Sequence, residues 1–414
     1  MDVIRIPTGT RDVLPAEAAE TRFLMEAVRT VFTAFGYGEV VTPTLELESA
    51  LEVSGEKRFR RSFRLFDEKG EVMMLRPEMT TPIARLAATK LAGRQPPFRF
   101  CYFANSFQPT RPQRGRQSEF FQAGLELIGI DSPAADGEVL AVLCGALEAC
   151  GLREYSISLG EASFFRALLE EVGVSDEEQE RLFMALAERD MVEFAHLVGA
   201  LAVDDEDRQA ILDAVALRGG SDVLTRAQDL VRGPRMEKAL KRLARTYYLV
   251  SRYGYAGRLL FDLGILRGFD YYTGIVFEVV SGDLGFPIGG GGRYDNLLAR
   301  FGRDEPAVGF ALGLDRLHIA VSGQGGVPLQ AGPGVALAGG MDEELDLARE
   351  LRESGVKVLS LPADITEQLA LEAARDAGLG YAVLPLGDGI RLLECAGGQA
   401  RDVSREQLAA AVEA

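Results

Sequence analysis

Two long strand-forming segments, residues 98–107 and 119–129, constrain the fold more than any other part of the chain. The first is rich in aromatic residues, and the second follows it after a polar, basic loop, so the pair predicts a strand and its returning partner. Side chains alternate between the two faces of a strand, which places Gln122, Gly124 and Glu126 on one face. Polar residues on one face of an apolar strand favour a lined pocket, with an exposed sheet face as the alternative.

Helical patterns surround these strands. Residues 16–36 carry apolar side chains at helical spacing, and residues 162–250 are almost entirely helical and rich in charge. Strand patterns resume at 258–262 and 275–280. The simplest arrangement is a sheet-forming domain with a helical insertion at about 165–250.

The end of the chain carries a separate pattern. Glycines and prolines between residues 323 and 334 mark a linker, and strand and helix patterns then alternate in the manner of a small parallel-sheet domain. The prediction is therefore an α+β protein with a core over residues 1–322 and a small α/β domain over residues 328–414.

Charge and composition exclude several classes of function. The chain has 62 acidic and 45 basic residues, and this balance argues against extensive contact with RNA, whose phosphates are bound by lysine and arginine. It shows no run of 18 apolar residues and no basic segment followed by an apolar one at its start. We therefore expect neither a membrane span nor a signal peptide, and a cytoplasmic location.

The cysteines and histidines predict no metal site and no disulfide. The four cysteines form no Cys-x-x-Cys pair and lie in apolar stretches, which is typical of buried free thiols. The two histidines, His196 and His318, have no second ligand at metal spacing.

Residues 76–81, Arg-Pro-Glu-Met-Thr-Thr, place a carboxylate and two hydroxyls at the start of a predicted helix. One interpretation is a helix cap made by Thr80 or Thr81. The other is that Glu78 and Thr80 hold the ammonium group of a ligand.

Two further segments admit a structural and a functional interpretation. In residues 267–272, Arg-Gly-Phe-Asp-Tyr-Tyr, an arginine and two tyrosines can grip a small carboxylate-bearing ligand, or Arg267 can form a salt bridge to Asp270. The four glycines 289–292 permit either close approach of a ligand to the backbone or tight packing of a strand.

These segments together resemble the motifs of histidyl-tRNA synthetases, a class II synthetase family. The matching segments occur in the family's order at 9–15, 76–85, 111–116, 119–126, 266–274, 291–295 and 307–316. Arg-Gly-x-Asp-Tyr-Tyr and Gly-Gly-Arg-Tyr-Asp are specific to the histidine enzymes, and the resemblance covers roughly residues 1–320. It implies a class II synthetase-like antiparallel sheet with flanking helices, and a homodimer formed through the N-terminal motif.

The resemblance also implies a histidine pocket. Its residues would be Glu78, Thr80, Gln122, Glu126, Arg267, Tyr271 and Tyr272. In the family, the residues at the first three positions hold the α-amino group. Those at Glu126 and Tyr272 contact the imidazole, and the one at Arg267 meets the carboxylate.

The ATP half of the site departs from the family pattern. Gln108 stands where the family has the arginine that stabilises the α-phosphate, and Pro109 and Thr110 replace the next two family residues. Loss of one preorganised charge of this kind typically costs about 10²–10³ in rate. Only Arg116 and Arg316 are expected to retain contact with a nucleotide, and no catalytic residue or cofactor is predicted.

The small C-terminal domain departs as well. Synthetases bind the anticodon with a domain of this kind, yet residues 328–414 contain 15 acidic and 7 basic residues. An RNA-binding surface should be basic, so we expect a degenerate domain and no tRNA partner.

An intact amino-acid pocket beside a damaged ATP site resembles the synthetase-like regulatory subunits of ATP phosphoribosyltransferase, the first enzyme of histidine biosynthesis. In that family the synthetase-like chain has no activity of its own. It activates the short-form catalytic subunit and transmits feedback inhibition by histidine. The alternatives are an active histidyl-tRNA synthetase and another amino-acid-binding paralogue.

Overall fold

The chain divides into two units, and a nine-stranded sheet organises the first of them. The first unit contains Met1–Asp12 and Thr21–Val327, and the second contains Val13–Glu20 and Pro328–Ala414. The computed structural model describes residues 5–55, 62–109, 117–265, 272–282, 284–327, 334–339, 342–386, 389–397 and 399–413.

The sheet has the strand order β1-β5-β6-β12-β11-β10-β7-β9-β8. Its strands are β1 (Gly38–Glu39), β5 (Phe98–Phe107), β6 (Glu119–Ile128), β7 (Ser156–Glu161), β8 (Arg218–Gly219), β9 (Leu259–Asp262), β10 (Ile275–Val280), β11 (Gly289–Arg293) and β12 (Ala307–Gly313). Neighbouring strands are antiparallel except for the pairs β1·β5 and β7·β9. A separate three-stranded sheet contains β2 (Leu45–Leu47), β3 (Arg64–Phe66) and β4 (Val72–Leu75).

Helices flank the large sheet on both of its faces. In chain order they are α1 (Pro15–Ala34), α2 (Glu48–Val53), α3 (Thr80–Thr89), α4 (Pro133–Ala149), α5 (Ala162–Glu171), α6 (Asp176–Glu188), α7 (Met191–Ala200), α8 (Asp205–Ala216), α9 (Asp222–Gln228), α10 (Pro234–Arg252), α11 (Leu297–Arg300) and α12 (Leu314–Gly323). The helices α5 to α10 confirm the predicted helical insertion. Residues of α1, α4 and the insertion share one buried core with Leu125 and Leu127 of β6. Because side chains alternate along β6, Gln122, Gly124 and Glu126 face the opposite side, which we call the front.

Helix α4 is buried along most of its length, and its start is well defined by sequence. Ser132 precedes the helix in an extended conformation, and its hydroxyl accepts a hydrogen bond from the backbone N–H of Ala135 at 3.2 Å. Pro133 occupies the first helical position, where a missing N–H costs nothing. Asp136 in the first turn is fully buried, so this cap also positions a buried charge.

The second unit contains a five-stranded sheet in the order β14-β13-β15-β16-β17. Its elements are β13 (Gly334–Ala338), α13 (Asp342–Glu353), β14 (Lys357–Leu361), α14 (Glu367–Asp376), β15 (Tyr381–Leu386), β16 (Gly389–Glu394), β17 (Ala400–Val403) and α15 (Arg405–Glu413). The three predicted strands β13, β14 and β15 pair in parallel, as expected, and the structure adds β16 and β17, which pair antiparallel. Only residues 387 and 388 separate β15 from β16, and so short a connection cannot make a parallel crossover.

The apolar run over residues 39–43 predicts a strand that ends at Pro43, but β1 ends at Glu39. The side chain of Arg76 takes over the backbone carbonyls that a longer strand would have paired, since Nη1 donates to the oxygens of Thr42 at 2.9 Å and Pro43 at 3.3 Å.

We expect Ser132→Ala to lower the free energy of unfolding by about 1 kcal/mol, because the α4 cap loses its acceptor. The matched control is Ser221→Ala. Ser221 precedes α9, and within the described residues its side chain makes no capping hydrogen bond, so that variant should unfold as the wild type does. Urea denaturation followed by circular dichroism compares the two, and equal losses would contradict the role of the Ser132 cap.

Candidate functional site

The buried carboxylate of Glu126 is the centre of the candidate site. It lies on the front face of β6, with 1% of its surface exposed. The hydroxyl of Thr80, at the start of α3, donates to Oε1 at 2.8 Å. The hydroxyl of Tyr294, one residue past β11, donates to Oε2. Three elements distant in sequence therefore meet at one carboxylate.

The protonation of Glu126 differs from that of an exposed glutamate. Its pKa is raised to about 8, because burial and, to a smaller extent, the nearby charge of Glu78 outweigh the hydrogen bonds from Tyr294 and Thr80, which lower it. The neutral form therefore predominates in the unliganded site near neutral pH. A buried carboxyl with such a pKa in a polar cluster is typical of a functional site.

Glu78 caps helix α3, so the prediction that Thr80 or Thr81 is the cap is wrong. Its carboxylate accepts from the backbone N–H of Thr80 at 2.5 Å and of Thr81 at 2.8 Å. Only an acceptor can satisfy the free N–H groups at a helix start, and the helix dipole favours an anion there. Burial raises the pKa of Glu78, and the hydrogen bonds from Thr81 and Thr80 oppose that rise.

Glycines form the floor of the site at the positions facing these side chains. Gly309 of β12 pairs with Glu126, and Gly292 of β11 pairs with Gly309. A Cβ at Gly309 would overlap the Glu126 carboxylate, and one at Gly292 would lie 2.7 Å from Cδ1 of Tyr272. The absence of side chains at these glycines allows the strands to pack closely and also leaves space in front of the backbone. Tight strand packing and close approach of a ligand, the two interpretations of glycines 289–292, are therefore compatible.

Tyrosines form the walls of the site. Tyr102, Tyr272 and Tyr294 are all buried, and they belong to one front-face apolar cluster with Met79 and Ile83 of the α3 segment. Burial raises the pKa of Tyr102, and the charges of Glu126 and Glu78 add to that effect. The walls are therefore flat, apolar surfaces, and the hydroxyl of Tyr102 stays protonated.

Gln122 lies on the same face of β6. Its side-chain oxygen accepts from the hydroxyl of Ser106 at 2.7 Å, which fixes the orientation of the amide. The front face therefore carries a glutamine, a glycine and a carboxylate in succession, as the alternation of the strand predicts.

Gln108, at the position of the family's phosphate-binding arginine, is engaged with the protein. Its Nε2 donates to the backbone oxygen of Pro77 at 2.9 Å, next to Glu78. Its own backbone N–H donates to the oxygen of Ser118 at 2.8 Å. This side chain supports the α3 loop and brings no positive charge to the site.

Arg316 lies in the first turn of α12. Its Nη1 donates to the backbone oxygen of Pro287 at 2.8 Å, and its guanidinium lies 5.4 Å from the ring centroid of Phe286. The preceding residue, Asp315, accepts from Arg11 at 3.0 Å and from the N–H of Phe121 at 3.2 Å. The guanidinium of Arg316 is thus held against the loop between β10 and β11.

The structure brings together Glu78, Thr80, Gln122, Glu126 and Tyr272 from the predicted set. Arg267, Tyr271 and Arg116 lie outside the described residues. Sequence reasoning missed Tyr294 and Tyr102. Tyr294 lies in the Gly-Gly-Arg-Tyr-Asp motif, and Tyr102 pairs with Gly124 and faces the same side of the sheet. The motif and the strand pairing could therefore have predicted both tyrosines as site residues.

Within the described ranges, no group of three or more histidine, cysteine, aspartate or glutamate side chains is arranged to hold a metal ion. Of the helices described, none is long and apolar enough to span a bilayer.

Comparison with known proteins points to one family. The sequence model of the histidyl-tRNA synthetase family matches residues 9–317. The chain is 41% identical to the ATP phosphoribosyltransferase regulatory subunit of Desulforamulus reducens, over 92% of this chain and 95% of that protein. It is 36% identical to the histidine–tRNA ligase of Thermococcus kodakarensis, over 91% of this chain and 89% of that protein.

A solved structure gives the same result. The chain is similar to a protein from Bacillus halodurans described as an ATP phosphoribosyltransferase regulatory subunit/histidyl-tRNA synthetase. The TM-score is 0.78 at 31% identity, covering 90% of this chain and 96% of that one. The predicted class II synthetase-like fold is thereby confirmed.

The raised pKa of Glu126 predicts how stability changes with pH. Between its ordinary pKa of 4.5 and its folded pKa of about 8, the folded chain holds a proton that the unfolded chain releases. The contribution of this group to the free energy of unfolding therefore falls as the pH rises through that window. Glu126→Gln should gain stability relative to the wild type as the pH increases, and urea midpoints across the window would show it. Parallel curves for the two proteins would contradict the assignment.

Proposed function

The chain belongs to the histidyl-tRNA synthetase family, which takes in proteins named ATP phosphoribosyltransferase regulatory subunit, and on this premise we propose that it is a histidine-binding regulatory subunit of that enzyme. In this proposal it binds histidine in the Glu126 site, assembles with the short-form catalytic subunit, activates it and transmits feedback inhibition. It performs no aminoacylation and takes no cofactor.

The observation that carries the proposal is the contrast between Glu126 and Gln108. The amino-acid end of the site keeps a buried carboxylate with two hydroxyl donors. The nucleotide end has a neutral amide, bound to a backbone oxygen, where a phosphate-binding cation is expected. A site of this composition can select an amino acid. It lacks, however, one preorganised positive charge that formation of the aminoacyl adenylate needs.

Recognition of the imidazole follows from the chemistry of Glu126. Each carboxylate oxygen accepts one hydroxyl in the free site, and each has a second lone pair available. A ring N–H of histidine can occupy such a position, or the protonated carboxyl can donate to the unprotonated ring nitrogen. An isosteric ligand without ring nitrogens would leave a buried polar group unpaired, which gives strong discrimination.

The rest of the ligand is assigned to the other predicted residues. In this proposal Glu78, Thr80 and Gln122 contact the α-amino group. Arg267 meets the carboxylate, and Tyr271 and Tyr272 enclose the ring. Arg116 and Arg316 retain at most a weak contact with phosphate.

Regulation requires two states of the assembly with different affinities for histidine. A coupling of about 1–3 kcal/mol is typical of such systems. We propose that the chain acts as a homodimer inside the hetero-oligomer, through the N-terminal region. Apolar side chains exposed there support this, and they are Val41, Leu45, Leu47, Leu65 and Phe66. The acidic C-terminal unit is assigned no tRNA.

The second candidate is an active histidyl-tRNA synthetase. The identity of 36% with an archaeal histidine–tRNA ligase and the retention of Arg316 favour it. The two functions differ in one reaction, because only a synthetase exchanges pyrophosphate into ATP when histidine is present.

We expect the purified chain to bind histidine in calorimetry and to show no histidine-dependent ATP–pyrophosphate exchange. Addition of a short-form ATP phosphoribosyltransferase should then give an activity that histidine inhibits. Exchange at a rate typical of synthetases would refute the regulatory function. Histidine binding without any effect on the phosphoribosyltransferase would favour another amino-acid-binding paralogue.

Glu126→Gln should weaken histidine binding by about 10- to 100-fold. The amide nitrogen cannot accept from a hydroxyl, so one buried partner is left without its hydrogen bond. Glu119→Gln on the same strand is the matched control, since its amide oxygen can still accept from Asn105. Calorimetry measures the affinity of both variants for histidine. Equal affinities in Glu126→Gln and Glu119→Gln would show that Glu126 does not contact the ligand.

A further inference from the structure

A buried ion network lies behind the candidate site, on the back face of the sheet. Its centre is Asp136, which is 0% exposed, and its first partner is Arg293, which is 1% exposed. Nε and Nη2 of Arg293 donate to Oδ1 of Asp136 at 2.8 and 2.6 Å. This is a charge pair taken fully out of water, with Arg293 on β11 and Asp136 on α4.

The second oxygen of Asp136 binds a different arginine. Nε of Arg242 donates to Oδ2 at 2.9 Å, and Nη1 of Arg242 donates to Asp131 at 2.6 Å. Arg242 lies on α10, the last helix of the insertion. Asp136 therefore joins the sheet to the insertion, with one oxygen committed to each.

Arg293 stands next to the residue that holds Glu126. Side chains alternate along β11, so Arg293 faces the network behind the sheet while Tyr294 faces the front and donates to Glu126. Nη1 of Arg293 also donates to Asp295 at 2.9 Å. Both neighbours of Tyr294 in sequence are thus held by the same guanidinium network.

The network also reaches the segment that carries Tyr272. The backbone oxygen of Arg293 accepts from the N–H of Thr273 at 2.8 Å, and the hydroxyl of Thr273 accepts from the N–H of Asp295 at 3.0 Å. Two of the three tyrosine walls, Tyr272 and Tyr294, therefore depend on where Arg293 is placed.

We propose that Asp136 and Arg242 are positioning residues for the candidate histidine site, and that they link helix α10 of the insertion to Tyr294 and Tyr272 through Arg293. The choice of histidine as the ligand rests on the proposed function. A buried ion pair is weak support for stability, because desolvation offsets most of the attraction. Its two-sided geometry instead fixes one arrangement of β11 against α10.

The coupling is reciprocal. A shift of α10 changes the position of Tyr294 and hence the affinity for histidine, and bound histidine restrains α10 by the same free energy. The insertion thereby becomes an element through which a contact elsewhere on the chain can affect the site.

The test uses Arg242→Gln in the full chain, which leaves the Asp136–Arg293 pair intact and so keeps the core paired. Histidine affinity by calorimetry should fall about 3- to 30-fold. In a Tyr294→Phe background the same substitution should have a smaller effect, because one of the two branches of the path ends at that hydroxyl. The control is Glu138→Gln on α4, which disturbs a salt bridge to Arg99 at 3.1 Å away from β11 and should leave affinity unchanged.

A second measurement does not depend on histidine. Hydrogen exchange of residues 289–295 should speed up in Arg242→Gln and remain at the wild-type rate in Glu138→Gln. Unchanged exchange there, or additive losses of affinity in the double variant, would overturn the proposal. If hydrogen exchange of residues 289–295 is faster in Arg242→Gln but the wild-type chain binds no histidine, the link from Arg242 to β11 is supported and the proposed function is refuted.

Discussion

The burial of one carboxylate, Glu126, is the constraint on which the rest of the site depends. A glutamate with 1% of its surface exposed must find hydrogen-bond donors, and it takes them from Thr80 and Tyr294, on elements far apart in sequence. Room for the side chain comes from Gly309 on the neighbouring strand, where any Cβ would overlap it. The Glu126 carboxylate is thus the single polar group around which three features are arranged: the start of α3, the end of β11 and the pairing of β6 with β12.

In the proposed function, the two ends of the site differ in chemistry within one fold. The proposed amino-acid end has polar groups whose burial would destabilise the chain if they had no ligand or partner to bind. At the proposed nucleotide end, the amide of Gln108 is part of the scaffold, because it supports the loop that presents Glu78. A synthetase frame that loses one charge in this way can keep its ligand selectivity, since binding and activation rely on different residues.

Much of the fold could be predicted from particular patterns, and the errors have local causes. The antiparallel pair β5·β6 and the shared face of Gln122, Gly124 and Glu126 follow from strand periodicity. The error at α3 arose because Glu78, two residues before Thr80, competes successfully for the free N–H groups. A carboxylate offers two oxygens and a negative charge to these N–H groups, where a hydroxyl offers one neutral oxygen. The network around Asp136 was not predicted, because its members come from three separate elements.

By itself, the sequence determined the family, the order of the elements and most of the residues that face the site, because these follow from periodicity and from contiguous motifs. It also determined that Gln108 brings no charge. Only the tertiary structure decided which hydroxyls hold Glu126 and that Asp136 joins Arg293 to Arg242. The bond from Thr80 to Glu126 spans 46 residues of chain, and the bonds of Tyr294 and Asp136 each span more than a hundred. No local pattern records such pairings, because they exist only after distant elements have packed together.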